Sequence, residues 1–329
     1  MARWTGERVD SENMHHTEDI EITKLIEGKN GNIWIGTRFG RLLSYDKVRM
    51  QAETFFISSI MDKYTIGSMA EDMEGRIWFG FPKGKGFGYY EGDKTICFLP
   101  MKDAEYPVWI GAIEVDKQGR VWLGSAAPSQ WEGLCCYDGA SFKHVGGVGQ
   151  SAVLALKEDR EGHLWIGTSA GVKCYDGREF KALTREDGLP CEIVTAILQA
   201  TDGTFWFGTE GGGICRYDGQ VCQVIQIPGD LRRNIIHAIH QDRTGQIWLA
   251  TEGGLVEYTP NQLKPEVRVE EVAADQHYAC PTELQIPLSV GSIRLRFHGS
   301  SPIYPGSSLV YRYLLEGQDP EWRQTRTRW

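Results

Sequence analysis

A tryptophan recurs six times along this chain, as Trp34, Trp78, Trp122, Trp165, Trp206 and Trp248, at spacings of 44, 44, 43, 41 and 42 residues. Each has a glycine three residues before it, and five have a glycine two residues after it, with Ala250 in the sixth copy. A register this regular means one structural unit used repeatedly. A period of roughly 40 residues made of short strands predicts a β-propeller, in which each repeat is one four-stranded blade.

The segment ahead of each tryptophan has the composition of an innermost strand. Twelve residues before it stand Ile22, Ile66, Ile110, Val153, Val194 and Ile236, and nine before it stand Leu25, Met69, Ile113, Leu156, Ile197 and Ile239. Ten before it, five of the six residues are small: Ser68, Ala112, Ala155, Ala196 and Ala238. Apolar residues of both parities suit a strand buried on both sides, and the small residue suits crowding near an axis. A turn follows, as in Asp72-Met-Glu-Gly75, Asp116-Lys-Gln-Gly119, Asp159-Arg-Glu-Gly162 and Asp242-Arg-Thr-Gly245, while Gly28 and Ala200 replace the aspartate elsewhere. Aspartate caps the turn amides and glycine accepts the positive φ of the hairpin. The second strand carries the tryptophan, whose ring is expected to fill the gap between blades. A third strand ends in Tyr-Asp (Cys136-Tyr-Asp138, Cys174-Tyr-Asp176, Arg216-Tyr-Asp218), and a weaker fourth strand follows.

The sixth copy ends near Leu255-Val-Glu-Tyr258, ahead of Pro260. Arg3 to Val9 lies where a fourth strand would precede the first copy, and pairing the two would close the circle without exposed edges. The expected fold is therefore an all-β, six-bladed β-propeller over 1–260. A seven-bladed ring with one blade missing upstream is the alternative. Residues 261–283 read as a linker and first strand region, and 284–329 as a partial β-sandwich.

A net charge of −9 argues against nucleic acid or an anionic membrane as partner, since both require a basic surface. The first residues lack the apolar stretch of a signal peptide, so the chain is expected to be cytoplasmic as it stands or a piece of something longer. Among eight cysteines there is no Cys-x-x-Cys pair and no zinc spacing, so buried thiols are expected rather than redox or metal chemistry.

The motif Asp-x-x-Gly-x-(Ile/Leu)-Trp-(Ile/Leu/Phe)-Gly-Thr, followed by Gly-(Leu/Val/Ile)-x-x-Tyr-Asp-Gly, resembles the two-component regulator propeller repeat of bacterial hybrid histidine kinases. The tail is similar to the Tyr-rich, Ig-like β-sandwich module that follows such propellers, through Tyr311, Tyr313, Leu315, Asp319 and Trp322. It stops seven residues past Trp322, which reads as a truncated sandwich and a fragment of a longer protein. The resemblance implies a non-catalytic sensory region, extracytoplasmic (periplasmic) in the full-length protein. There it would contact a membrane-proximal sandwich and a homodimer partner. A protein-interaction scaffold is the second reading.

No HExxH, GxSxG or P-loop pattern is present, and no cofactor or metal is expected. Streptogramin-lyase-like enzymes carry a similar repeat and use a histidine and a glutamate near the axis with a divalent ion. His237 or His240 with Glu210 or Glu252 is the corresponding third reading. His237 and His240 lie three apart on one strand, which places them on opposite faces. For a sensor, the candidate ligand-binding residues lie on the face formed by the loops after each second strand and before each first strand. They are Arg38, Tyr64, Lys83, Lys85, Trp109, Trp131, Glu210, Arg232, Arg233 and Glu252. The expected partner is a saccharide or other small polar ligand; cations among aromatic rings suit an acidic saccharide, with the cations pairing its carboxylate or sulfate and the rings stacking on its sugar faces.

Overall fold

The computed structural model describes residues 3–4, 9–10, 21–56, 64–82, 86–92, 95–98, 109–127, 133–225, 235–259, 266–273, 277–279, 294–300, 311–313 and 323–325. All regular structure among them is β-strand. Five antiparallel four-stranded sheets follow one another, with strands in chain order inside each. Blade 1 comprises Ile22–Glu27, Ile33–Thr37, Arg41–Asp46 and Gln51–Phe56. Blade 2 comprises Ser68–Glu71, Ile77–Gly80, Phe87–Glu91 and Thr95–Phe98. Blade 3 is Ile110–Val115, Val121–Ser125, Leu134–Tyr137 and Phe142–His144; blade 4 is Val153–Glu158, Leu164–Thr168, Gly171–Tyr175 and Phe180–Leu183. Blade 5 is Val194–Gln199, Phe205–Thr209, Ile214–Tyr217 and Cys222–Ile225. Blade 6 has three strands among the described residues, Ile236–Gln241, Ile247–Thr251 and Gly254–Tyr258. The architecture is that of a propeller.

Five of the six repeat tryptophans, Trp34 to Trp206, pack against the next blade, as their spacing predicts. Trp34 clusters with Ile66, Met69 and Phe79; Trp78 with Ile110, Ile113 and Leu123; Trp122 with Val153, Leu156 and Ile166. Trp165 packs on Val194 and Phe205, and Trp206 on Ile247 and Leu249. The glycine two residues after the tryptophan is what permits this approach. A Cβ on Gly36 would stand 2.7 Å from Ile66, one on Gly80 2.5 Å from Ile110, and one on Gly208 2.6 Å from Ile236. Real side chains never come so close, so the position must lack one. Ala250 occupies it in blade 6. Correspondingly, Ile22 and Leu25 of blade 1 are 46% and 52% exposed, whereas Ile66, Ile110, Val153, Val194 and Ile236 are buried.

The aspartate of the turn does more than cap amides. Asp116 Oδ1 accepts from the backbone N–H groups of Gln118 and Arg120, as expected of a turn residue. Its Oδ2 accepts from the indole N–H of Trp122 at 2.8 Å and from Arg120 Nε at 2.6 Å. The same indole bond joins Trp78 to Asp72, Trp165 to Asp159 and Trp248 to Asp242. One carboxylate thus fixes the hairpin and satisfies the polar atom of the ring that the blade junction buries.

Two expectations are corrected. Arg3–Trp4 does not complete blade 6; it pairs antiparallel with Val9–Asp10 in a separate two-stranded sheet. A partner strand a few residues away competes directly with the distant edge of Gly254–Tyr258, and loop closure favours the nearer one. The second correction concerns cysteine. Cys215 and Cys222 form a disulfide across the last two strands of blade 5, seven residues apart with Cα atoms separated by 5.9 Å. Cys135 and Cys136 are buried free thiols and Cys174 and Cys191 are half-buried ones. Adjacent antiparallel strands bring two cysteines within disulfide reach, and nothing in a linear motif marks that pairing.

Beyond the blades, Glu266–Ala273 pairs with both His277–Ala279 and Arg294–Ser300, and Tyr311–Tyr313 pairs with Arg323–Thr325. The first of these sheets starts inside the stretch expected to be linker and first strand.

Candidate ligand-binding site

Each inner strand starts at one face of the propeller, and Arg38, Trp109, Glu210 and Glu252 stand at the loops there. Arg38, Glu210 and Glu252 share one repeat position, four residues after the tryptophan; Trp109 stands thirteen before its own. Backbone hydrogen bonds join these two positions within a blade: Arg38 N–H to the Glu21 carbonyl at 2.9 Å, Ala126 to Trp109 at 2.8 Å, Ser169 to Ala152 at 3.0 Å, and Glu210 to Ile193 at 2.9 Å. The rim is therefore built by the repeat itself, and its side chains vary on a fixed backbone.

Arg38 is engaged by Glu21 through a 2.6 Å ion pair, with both side chains more than half exposed. Water and salt screen such an exposed pair, so it yields readily to a competing anion. Trp109 presents an indole that is 39% exposed, and Phe39 is 45% exposed beside Arg38 in sequence. Glu210 and Glu252 are exposed carboxylates. Tyr64 is half-buried and packs on the core between blades 1 and 2, with its ring 6.2 Å from that of Phe81. Lys83, Lys85, Trp131, Arg232 and Arg233 lie outside the described residues.

A second set of polar groups was not singled out in the sequence. On the inner strands, eight residues before the tryptophan stand Glu114, Lys157 and His240, and ten before it stands Lys24. Lys157 Nζ donates to Glu114 Oε1 at 2.5 Å, and the Glu158 backbone N–H donates to the same oxygen at 3.2 Å. Burial pushes the Glu114 carboxyl up, against the opposing pull of Lys157. Burial pushes the Lys24 ammonium down, and the Glu114 charge partly counters it. Charge at positions that hold alanine in other blades was the available signal.

A third feature ties blades together at the opposite face. A carboxylate or amide seven residues before the tryptophan accepts the turn N–H of the preceding blade: Glu71 from Lys29 at 2.6 Å, Glu158 from Lys117 at 2.8 Å, Gln199 from Arg160 at 2.9 Å, and Gln241 from Thr201 at 2.7 Å. Val115 interrupts the series at the junction of blades 2 and 3. The recurrence of Glu and Gln at this position made the latch legible in principle.

Among the described residues there is no cluster of three or more His, Cys, Asp or Glu able to hold a metal ion. His237 and His240 are exposed. Burial pushes the Cys135 thiol up to about 12 and that of Cys174 to about 11, which keeps both un-ionised and unreactive. No helix among the described residues is long and apolar enough to cross a membrane.

The family described as "Two component regulator propeller" matches at residues 18–39, 147–170, 188–211 and 230–253. Four segments of the chain are thus similar to the two-component regulator propeller repeat. The matches fall on the inner strand and tryptophan strand of blades 1, 4, 5 and 6, and the other two blades repeat the same geometry. Over 41 residues the chain is 42% identical to Histidine kinase P4 of Formosa agariphila, covering 12% of this chain and 3% of that kinase. The fold is shared with an extracellular domain assigned to a hybrid two-component system of B. thetaiotaomicron, with TM-score 0.62 and 18% identity over 93% of this chain and 44% of that one. It is shared equally with a catalytically inactive virginiamycin B lyase of Staphylococcus aureus, with TM-score 0.62 and 15% identity over 73% of this chain and 80% of the lyase. The chain thus spans less than half of the extracellular domain it matches.

Proposed function

We propose that this chain is the non-catalytic, ligand-sensing propeller region of a bacterial two-component signalling protein, positioned outside the cytoplasm. The observation that carries this reading is the repeat itself: the regulator propeller motif, matched in four blades and built in six. The similarity to an extracellular domain of a hybrid two-component system supports the same assignment. The disulfide Cys215–Cys222 fits an oxidising compartment. Sensing would occur at the loop face, where the backbone is fixed by the repeat and the side chains differ from blade to blade. We take the ligand to be an acidic saccharide, stacking on Trp109 and displacing Glu21 from Arg38, with Lys83, Lys85, Arg232 and Arg233 adding positive charge.

Glycan-array binding with the full chain tests this reading. Saturable binding to uronate- or sulfate-bearing glycans, lost in Trp109→Ala and weakened in Arg38→Ala, is expected. Equal response to acidic and neutral glycans would remove the ligand assignment. Turnover of quinupristin by the chain would instead favour the lyase reading that the shared fold admits.

A further inference from the structure

We propose that the junction of blades 3 and 4 holds a second binding site, at the face opposite the loop rim, for a ring-sized aromatic carboxylate. A cavity of about 170 Å³ lies there, lined by Arg120, Trp122, Cys136 and Lys143 of blade 3 and by Leu164 and Tyr175 of blade 4. One six-membered ring fits such a space, since an apolar cavity of about 150 Å³ takes up benzene.

The repeat explains why the space is open. In blade 2 the residue facing the tryptophan across the ladder is Tyr89, whose ring centroid lies 4.9 Å from that of Trp78. In blade 3 that residue is Cys136, opposite Trp122. Blade 4 also has a cysteine there, Cys174, but Phe205 of blade 5 brings its ring centroid to 4.1 Å from that of Trp165. At the junction of blades 3 and 4, Leu164 stands in the place of Phe205. Trp122 thus lacks both of these rings. It keeps Tyr175 at 6.1 Å, a contact that Trp78 and Trp165 also have, with Tyr137 and Tyr217. The two smaller residues, Cys136 and Leu164, both border the cavity.

The charges around the space select the functional group. Asp116 Oδ2 holds Arg120 Nε at 2.6 Å, with the guanidinium 5.2 Å from the Trp122 ring centroid. The terminal amino groups of Arg120 have no acceptor among the described residues. In blade 2, Arg76 lies over the Tyr89 ring at the same 5.2 Å, so a ring beside Trp122 would meet a guanidinium in the same way. Lys143 stands opposite Cys136, in the row that crosses the blade from Trp122, and its ammonium is 72% exposed with Asp138 3.8 Å away. The two carboxylates at the cavity are already engaged. Asp116 accepts from Arg120 and the Trp122 indole, and Glu158 accepts from the Lys117 N–H at 2.8 Å. Cationic donors with capacity to spare therefore border a ring-sized space, which suits an aromatic carboxylate.

The test is a nitrogen-15 NMR titration of the full chain with sodium benzoate, with sodium acetate and benzylammonium chloride as comparisons, at constant ionic strength. Benzoate should give saturable shifts centred on the Trp122 indole N–H and the amides of Cys136 and Tyr175. Acetate, which lacks the ring, and benzylammonium, which inverts the charge, should each bind about tenfold more weakly or worse. Cys136→Tyr puts into blade 3 the ring that blade 2 carries and should abolish binding. Leu164→Phe closes the same space from blade 4 and should do likewise, so the test does not hang on one variant folding. Cys136→Ser leaves the space open and should stay within about threefold of the parent. Arg120→Gln should weaken binding by about tenfold, and the more exposed Lys143→Gln by about threefold. Non-saturating shifts, benzylammonium binding as tightly as benzoate, or undiminished benzoate binding in a folded Cys136→Tyr or Leu164→Phe variant would each overturn the proposal. Glycan binding at the loop face should survive Cys136→Tyr, so the two sites fail independently.

Discussion

The indole N–H of Trp206, fully buried between blades 5 and 6, meets no acceptor, and Ala200 six residues upstream is the reason. In four other blades an aspartate at that position takes the indole proton at 2.7–2.9 Å. The backbone is already arranged for it: Ala200 N–H donates to Thr204 O at 2.8 Å, as Asp116 N–H donates to Arg120 O at 2.9 Å. Ala200→Asp is therefore expected to stabilise the chain by about 1 kcal/mol, and Asp116→Ala to destabilise it by about 2–4 kcal/mol by orphaning Trp122 and the turn amides. Urea denaturation of the two variants checks both signs. A destabilised Ala200→Asp would show that the missing aspartate is not what strands Trp206.

The glycine after each tryptophan sets the spacing between blades. Gly208→Ala would place a Cβ 2.6 Å from Ile236 Cγ2, so the junction of blades 5 and 6 must spread. A loss of about 1–3 kcal/mol is expected. Ala250→Gly, at the same position in blade 6, should cost no more than about 1 kcal/mol, the entropy of an added glycine. Thermal melts of the pair separate steric need from sequence habit.

Asp242 supplies a pH dependence. Its carboxylate accepts from the Thr244 hydroxyl at 2.6 Å, the Trp248 indole at 2.9 Å and two backbone N–H groups, and these bonds hold it at about 2, below the ordinary 3.8. A depressed carboxyl contributes stability that is fully present above its ordinary value and is lost as pH falls toward the folded value. Blade 6 should therefore weaken between about pH 4 and pH 2. Asp242→Asn should flatten that part of the profile. Urea midpoints measured across this range check it, and identical acid profiles for the two proteins would refute the assignment.

The disulfide of blade 5 gives a prediction about redox state. Closing the short loop between Cys215 and Cys222 is worth about 2–3 kcal/mol by the chain-entropy estimate. Dithiothreitol should lower the stability of the parent and leave Cys215→Ser/Cys222→Ser unchanged. Alkylation followed by mass mapping should label these two cysteines only after reduction.

Much of the fold was legible because it is periodic. Trp34 to Trp248, the Asp-x-x-Gly turns and the apolar positions nine and twelve before each tryptophan are constraints that every blade must meet separately. A six-fold recurrence makes them readable without structure. The second role of the aspartate was not read, because the link from Asp116 to Trp122 depends on how the hairpin folds back. The disulfide depends likewise on strand pairing. Of the loop-face residues, Arg38, Glu210, Glu252 and Trp109 fall on two repeat positions that the backbone joins, a relation the spacing already contained. Tyr64 stands in a loop by sequence, but its ring turns into the core beside Phe81. Glu114 and Lys157 carry no periodic signal, because each is a single departure from the repeat.

The measurement that tests the central claim most directly is the DNA sequence on both sides of this reading frame. An in-frame transmembrane segment followed by a histidine-kinase or DNA-binding domain is the predicted result, and would make this propeller the sensory half of a signalling protein. A reading frame with neither domain would contradict the account and leave the scaffold and lyase readings to be weighed against each other.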